Sequence, residues 1–175
     1  MEKLPPIAKV YEAYSALADD RIVVKEQEAL VDSSDYAKTY TVRFHDDEVS
    51  SNDNATVWQH YPGYPILAVW MKLGILSVNW NILPAFAGIN WKKRNTEHKN
   101  RYEEVIEEFL SECEEQGYAC EDIRSCMQET LEAVAKLSYT IKGNRAPMIR
   151  ENSSRYMTAV FLCDLFMICI AMKQR

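Results

Sequence analysis

Apolar residues near the N-terminus recur at the spacing of one helix face. Pro5-Pro6 opens the segment, and Asp19-Asp20 closes it. Between them the apolar positions follow an i, i+3, i+4, i+7 pattern that is typical of an amphipathic helix. These positions are Ile7, Val10, Tyr11, Tyr14, Leu17 and Ala18. The pattern predicts a helix over residues 7–18.

The next segment has the two-residue period of strands. Tyr40, Val42 and Phe44 alternate with polar residues over 39–44, which predicts a half-buried antiparallel strand. Short β-prone pieces stand at 21–24 and 28–31, and a further strand is expected to begin at 49–51. Turn-forming residues at 32–35 and 45–48 separate them. We expect a small antiparallel meander of two or three strands.

From residue 61 onward the apolar spacing favours helices. Apolar segments at 66–73, 79–86, 102–113 and 121–141 are separated by glycine or proline, and we expect short loops between them. The predicted fold class is α+β and mostly helical. It combines an N-terminal helix, a small antiparallel β-meander and a helical bundle around an apolar C-terminal helix.

That C-terminal helix is predicted from residues 156–172, which carry a single charge, at Asp164. Seventeen residues are at the lower limit for crossing a membrane, and a central carboxylate is costly in a bilayer. We interpret the segment as the buried central helix of the domain, with a membrane tail anchor as the alternative.

Length and charge narrow the class of protein. The chain has 175 residues and a net charge of −6, so we expect one domain over 1–175 and do not expect a general nucleic-acid binder. Five cysteines, an odd number without C-x-x-C spacing, predict reduced thiols. Because the N-terminus does not resemble a signal peptide, we expect a cytoplasmic protein. We expect neither a metal nor a cofactor.

Short polar and aromatic residues are densest between positions 51 and 64. Polar groups that hydrogen-bond with direction, beside flat aromatic faces, suit a polar small molecule such as a sugar or a nucleoside. The candidate ligand-binding residues are Asn52, Asp53, Asn54, Trp58, His60 and Tyr64. The alternative is an Asn- and Asp-rich turn followed by aromatic core residues.

Basic residues are concentrated just before an acidic region. Residues 103–132 hold eleven acidic side chains and one basic side chain, Arg124. The basic patch before them comprises Lys92, Lys93, Arg94, His98, Lys99 and Arg101. One interpretation is that these residues bind phosphate or RNA, with Trp91 as a side chain on which a base stacks. The other is a basic helix start that faces acidic helix surfaces, within one molecule or between two.

Three stretches carry a resemblance to known proteins. Residues 33–42 and 51–59, together with Gly63-Tyr64-Pro65-Ile66, are similar to a set of uncharacterised microbial hypothetical proteins. The resemblance spans about residues 5–110. It implies a microbial protein and transfers no catalytic residues.

These observations favour a non-catalytic binding or protein-interaction domain. The sequence lacks phosphate-loop, dinucleotide-binding, nucleophile-elbow and zinc-protease motifs. It nominates no catalytic residue. We expect a homo-oligomer, or a complex with another protein, and no membrane partner. The first alternative is an enzyme or receptor for a polar small molecule near residues 52–64. The second is a nucleic-acid or phosphate contact through residues 92–101.

Overall fold

The computed structural model describes residues 3–145 and shows an α+β fold, as predicted. The helices are α1 (Ala8–Ala18), α2 (Tyr64–Lys72), α3 (Trp91–Glu97), α4 (Tyr102–Glu115) and α5 (Cys120–Ala135). The strands are β1 (Ile22–Val24), β2 (Glu28–Asp32), β3 (Thr39–His45), β4 (Glu48–Ser51) and β5 (Thr140–Gly143). A π-helix spans Ala55–Gln59 and a 3-10 helix spans Leu83–Phe86. The predicted C-terminal helix at 156–172 lies outside the described residues.

The sheet has the strand order β1-β2-β3-β4-β5. The predicted antiparallel meander is present, but it has four strands, β1 to β4, where two or three were expected, and β5 runs parallel to β4. The β-prone pieces at 21–24 and 28–31 are two paired strands, with Ile22 opposite Val31. The turn between β3 and β4 falls at Asp46 and Asp47, inside the predicted turn.

The predicted helix over 121–141 is too long. The observed helix α5 ends at Ala135, and the chain then forms strand β5. The amide of Thr140 donates to the carbonyl of Asp47 over 2.8 Å, and that of Asn144 donates to Ser51 over 2.8 Å. The open edge of β4 therefore supplies hydrogen-bond partners that local sequence spacing does not reveal.

The segment at 79–86 is also less helical than predicted. Only its last four residues form a helix, Leu83–Phe86. The side chain of Asn79 accepts a hydrogen bond from the amide of Asn81 and holds a turn. Because Pro84 has no amide hydrogen, it is accommodated at the start of this short helix and not within a longer one.

Helix α1 lies at the centre of the described part of the chain and contacts α2, α4 and α5. One side of α2 also packs on the sheet. An aromatic cluster fills the space around α1, with ring centroids of Tyr11 and Phe109 5.9 Å apart and those of Phe86 and Phe109 4.9 Å apart. Burial of these rings stabilises the arrangement of the helices and fixes one wall of the cleft described next.

Candidate functional site

A cleft of about 370 Å³ lies between α1, the start of α3, the π-helix and the loops at one end of the sheet. The first residues of α2 and α4, Tyr64 and Tyr102, also line it. Elements from most of the described chain therefore meet at this cleft.

A buried ion pair forms part of the cleft wall. Lys9 Nζ lies 2.8 Å from Glu12 Oε1, one turn along α1, and both side chains are largely shielded from solvent. Burial by itself lowers the pKa of Lys9, but the charge and hydrogen bond of Glu12 outweigh burial, so the pKa is raised above 10.5. The Lys9 ammonium also lies over the ring of Tyr102, 5.1 Å from its centroid. Lys9 is therefore held as a cation.

Helix α3 contributes two polar side chains from neighbouring turns. Asn95 Nδ2 donates to Glu12 Oε1 over 3.1 Å. Its Oδ1 atom and the Nε1 atom of Trp91 are buried and have no hydrogen-bond partner among the described residues. Both residues line the cleft. Buried polar atoms are ordinarily paired, so these two atoms are exceptions in the packing beside the cleft, and they have almost no accessible surface.

The loop after β4 is held by the carboxylate of Asp53. Its Oδ1 accepts hydrogen bonds from the amides of Ala55 (2.9 Å) and Thr56 (3.1 Å), and its Oδ2 accepts one from the Thr56 hydroxyl (2.6 Å). That hydroxyl in turn accepts a hydrogen bond from the amide of Gly63. Asp53 thus fixes the start of the π-helix, whose exposed Trp58 lies at the rim of the cleft.

Two tyrosines line the cleft near the end of the sheet. The rings of Tyr40 and Tyr64 meet edge to face, with centroids 5.9 Å apart. The Tyr64 hydroxyl donates to the carbonyl of Asp32, which also accepts from buried Arg21 over 2.8 Å. Burial raises the pKa of Tyr40 to about 12 and that of Tyr64 well above 10. Both phenols therefore stay neutral at physiological pH.

Four of the six predicted ligand-binding residues line the cleft, namely Asp53, Asn54, Trp58 and Tyr64. Asn52 lies beside them but has a structural position, since it is buried and its Oδ1 accepts a hydrogen bond from the amide of Thr41. His60 is exposed, ends the π-helix with a φ of 59° and does not line the cleft. Asp53 has both a structural role and a place in the cleft, because its carboxylate holds its own loop and the residue borders the cleft.

Helix α4 neutralises much of the predicted basic patch. Arg94 Nη2 lies 2.7 Å from Glu112, His98 lies 2.7 Å from Glu108, and Arg101 pairs with Glu104. Lys93 is 3.9 Å from Glu97 in its own helix. Lys92 and Lys99 form no ion pair within residues 3–145, and of these two only Lys92 lines the cleft. The segregated charges thus meet inside one molecule.

Several cleft residues were not among the predicted site residues, namely Lys9, Glu12, Arg21, Tyr40, Asn95, Asn100 and Tyr102. Trp91 is predicted from the sequence only as a stacking side chain. Lys9 and Glu12 lie i, i+3 on a predicted helix, but ion pairs of this spacing are also common on exposed faces. No local signal marks this pair as buried.

The lining of the cleft combines carboxylates, phenols and amides. Among the described residues, no histidine or cysteine lines it, and no group of three or more His, Cys, Asp or Glu could hold a metal ion. The Ser33 hydroxyl donates to Asp35, and that of Ser34 accepts from the amide of Lys92. The arrangement supplies hydrogen bonds, charge and aromatic surface.

Two further properties concern the rest of the described chain. None of the helices within residues 3–145 is both long and apolar enough to span a membrane. The three cysteines in this part, Cys113, Cys120 and Cys126, are free thiols, and burial raises the pKa of Cys113 to about 11. A buried thiol of high pKa is a weak nucleophile.

Comparisons with known proteins agree with the resemblance seen in the sequence. Neither the curated proteins nor the solved structures give a match. A family model described as "Uncharacterised conserved protein UCP014422" matches residues 2–140, which include every described element through the start of β5. The chain belongs to this family of uncharacterised conserved proteins.

Proposed function

We propose that the protein is a non-catalytic binding domain for a small polar molecule, which occupies the cleft beside α1 and α3. The observation that carries the proposal is the cleft of about 370 Å³ whose lining residues include Asn54, Asn95 and Asn100. Amide side chains both donate and accept hydrogen bonds, which suits the directed contacts of a polar ligand.

The remaining surroundings suit the same use. Aromatic rings of Trp58 and Tyr40 border the cleft, and the charged groups Lys9 and Glu12 are already paired with each other. Ligand pockets characteristically combine aromatic surface with a few directed polar groups. The lining carboxylates Glu12 and Asp53 already accept hydrogen bonds from Lys9 and from the Thr56 hydroxyl, which favours binding over acid–base catalysis.

Native mass spectrometry of the full chain, purified without detergent, tests the proposal first. We expect a fraction of the protein to carry an additional mass of a few hundred daltons. The same spectrum reports the predicted self-association, because oligomers appear at multiples of 20.3 kDa.

A thermal-shift screen with sugars, nucleosides and amino acids then identifies the compound class, since a ligand that binds only the folded state raises Tm. Asn95→Ala should abolish the shift, whereas Asn81→Ala, at an exposed asparagine outside the cleft, should preserve it. A chain without additional mass that responds to no compound would overturn the proposal.

A further inference from the structure

Three side-chain cations lie over aromatic rings that line the cleft. Lys3 Nζ is 5.2 Å from the centroid of the Tyr61 ring, and Arg145 Cζ is 5.5 Å from that of the Trp58 ring. Lys9 makes the same kind of contact with a third lining ring. These are all the cation–π contacts in the described part of the chain. Positive charge is therefore held at the aromatic wall of the cleft.

A further cation, Lys92, lines the cleft directly and is exposed. Lys3, Lys92 and Arg145 form no ion pair with any described residue, and we call them the unpaired cations. Lys92 acts electrostatically on Asp35. That carboxylate is engaged in its own turn, where it accepts hydrogen bonds from the Ser33 hydroxyl and one backbone amide.

The other two lining cations are neutralised by carboxylates. Lys9 is paired with both oxygens of Glu12, and Arg21 is paired with Asp19. The charges that remain are the three unpaired cations and the buried carboxylate of Asp53, which accepts three hydrogen bonds from its own loop. The cleft therefore carries an excess of positive charge, although the whole chain has a net charge of −6.

Resting on the proposed function, we propose that the ligand of the cleft is a small anion, in which a phosphate or carboxylate group is attached to a polar body. Charges on the walls of a cleft of about 370 Å³ lie within the Debye length, about 8 Å, of its occupant. Walls with an excess of one charge concentrate ligands of the opposite charge. The exposed amides of Asn54 and Asn100 bind the uncharged part of the ligand.

Lys92 contacts the anionic group directly. It is the lining cation that has no ion pair in the described part of the chain, so its ammonium approaches a ligand without giving up another partner. Lys3 and Arg145 act from the rim, where the rings of Tyr61 and Trp58 hold them. A neutral molecule gains nothing from these charges, so affinity should depend on the charge of the ligand.

Isothermal titration calorimetry of the full chain with matched probes tests the proposal. The pairs are glucose 6-phosphate with glucose, AMP with adenosine, and methyl glucuronide with methyl glucoside. The two members of a pair share their rings and most of their hydroxyl groups, so a difference in affinity reports the anionic group. Each titration is made at low and at high salt.

We expect the anionic member of at least one pair to bind about tenfold more tightly than its neutral partner, and this preference should fall at high salt. Lys92→Glu should weaken binding of that anion by about tenfold and leave binding of the neutral partner unchanged. Lys25→Glu is the matched control, at an exposed lysine outside the cleft that has no ion pair with a described residue. It should change the affinity by less than about twofold.

Three results would overturn the anionic class of ligand. In the first, the neutral probes bind as tightly as their anionic partners. In the second, no anionic probe binds. In the third, Lys92→Glu weakens binding no more than Lys25→Glu does. Each leaves the proposed function to its own test, because the additional mass and the broader thermal-shift screen also detect a neutral ligand.

Discussion

Gly63 lies directly against the carboxylate of Asp53. A methyl group on the Gly63 Cα would lie 2.6 Å from Asp53 Cγ and 2.7 Å from Oδ2, closer than atoms of this kind approach. The φ of Gly63 is −68°, which any residue adopts. Glycine is therefore required here because there is no room for a side chain, and not because of the backbone conformation. The contact joins the loop that carries the π-helix to the first turn of α2.

Gly63→Ala should lower the free energy of unfolding by about 1–3 kcal/mol, because the added methyl group displaces a buried carboxylate. Denaturant unfolding measures the change. In an Asp53→Ala background the same substitution should cost less, since the side chain that it meets is gone. Equal costs in the two backgrounds would contradict the close contact.

Gly143 makes a second close contact, between β5 and the π-helix. A methyl group there would lie 2.8 Å from the Cα of Val57. Gly143→Ala should therefore destabilise the protein by about 1–3 kcal/mol and change the fluorescence of the adjacent Trp58. Lys142→Ala is the matched control on the same strand, since it removes only an exposed ion pair with Glu48. It should change stability by less than about 1 kcal/mol.

The buried ion pair of α1 should be sensitive to loss of one partner. Lys9→Met leaves the Glu12 carboxylate without its cation, and we expect a loss of about 3 kcal/mol in the free energy of unfolding. The double variant Lys9→Met/Glu12→Leu should recover much of that loss, because no uncompensated charge remains. Urea denaturation of the three proteins provides the comparison. A double variant that is less stable than Lys9→Met would count against this explanation.

His98 should make stability depend on pH. Hydrogen bonds with Glu104 and Glu108 raise the pKa of His98 above 6.5 in the folded protein. The folded state therefore favours the protonated imidazole. Its stabilising contribution is complete below pH 6.5 and is lost as the pH rises through the raised pKa.

Denaturation of wild type and His98→Gln at pH 5.5 and 8.5 measures this contribution. The difference in unfolding free energy between the two proteins should be larger at pH 5.5. Repeating the comparison with Glu104→Gln and Glu108→Gln in both proteins should remove the pH dependence. A dependence that survives without these carboxylates would point to another titrating group.

The basic patch should not bind nucleic acid, because α4 already pairs with Arg94, His98 and Arg101. We expect the protein to pass through an RNA or DNA column without salt-dependent retention. The variant Glu104→Gln/Glu108→Gln/Glu112→Gln removes these partners. Comparing its retention on the column with that of the wild-type protein shows whether the α4 carboxylates are what neutralises the basic patch. If the wild-type protein is retained at low salt and released by moderate salt, the phosphate-contact interpretation gains support.

Local pattern predicted much of the helical and strand content. The apolar spacing before Asp19 predicts α1, and the alternation around Val42 predicts β3, because both elements bury one continuous face. The same reasoning failed at Ile141, whose position fits a helical period although it pairs with Val49 in the sheet. Strand pairing over such a separation depends on a free edge that is formed by distant residues.

The sequence by itself determined the α+β class and the segregation of charge. It also located four residues of the cleft, namely Asp53, Asn54, Trp58 and Tyr64. These features could be predicted because each depends on residues that are close together in the chain. Only the tertiary structure decided that Lys9 and Glu12 lie in the cleft wall beside Trp91 and Asn95. Burial and hydrogen-bond partners depend on which residues the fold brings into contact. Asn95 and Glu12 are 83 positions apart in the sequence, and no local pattern indicates that they will meet.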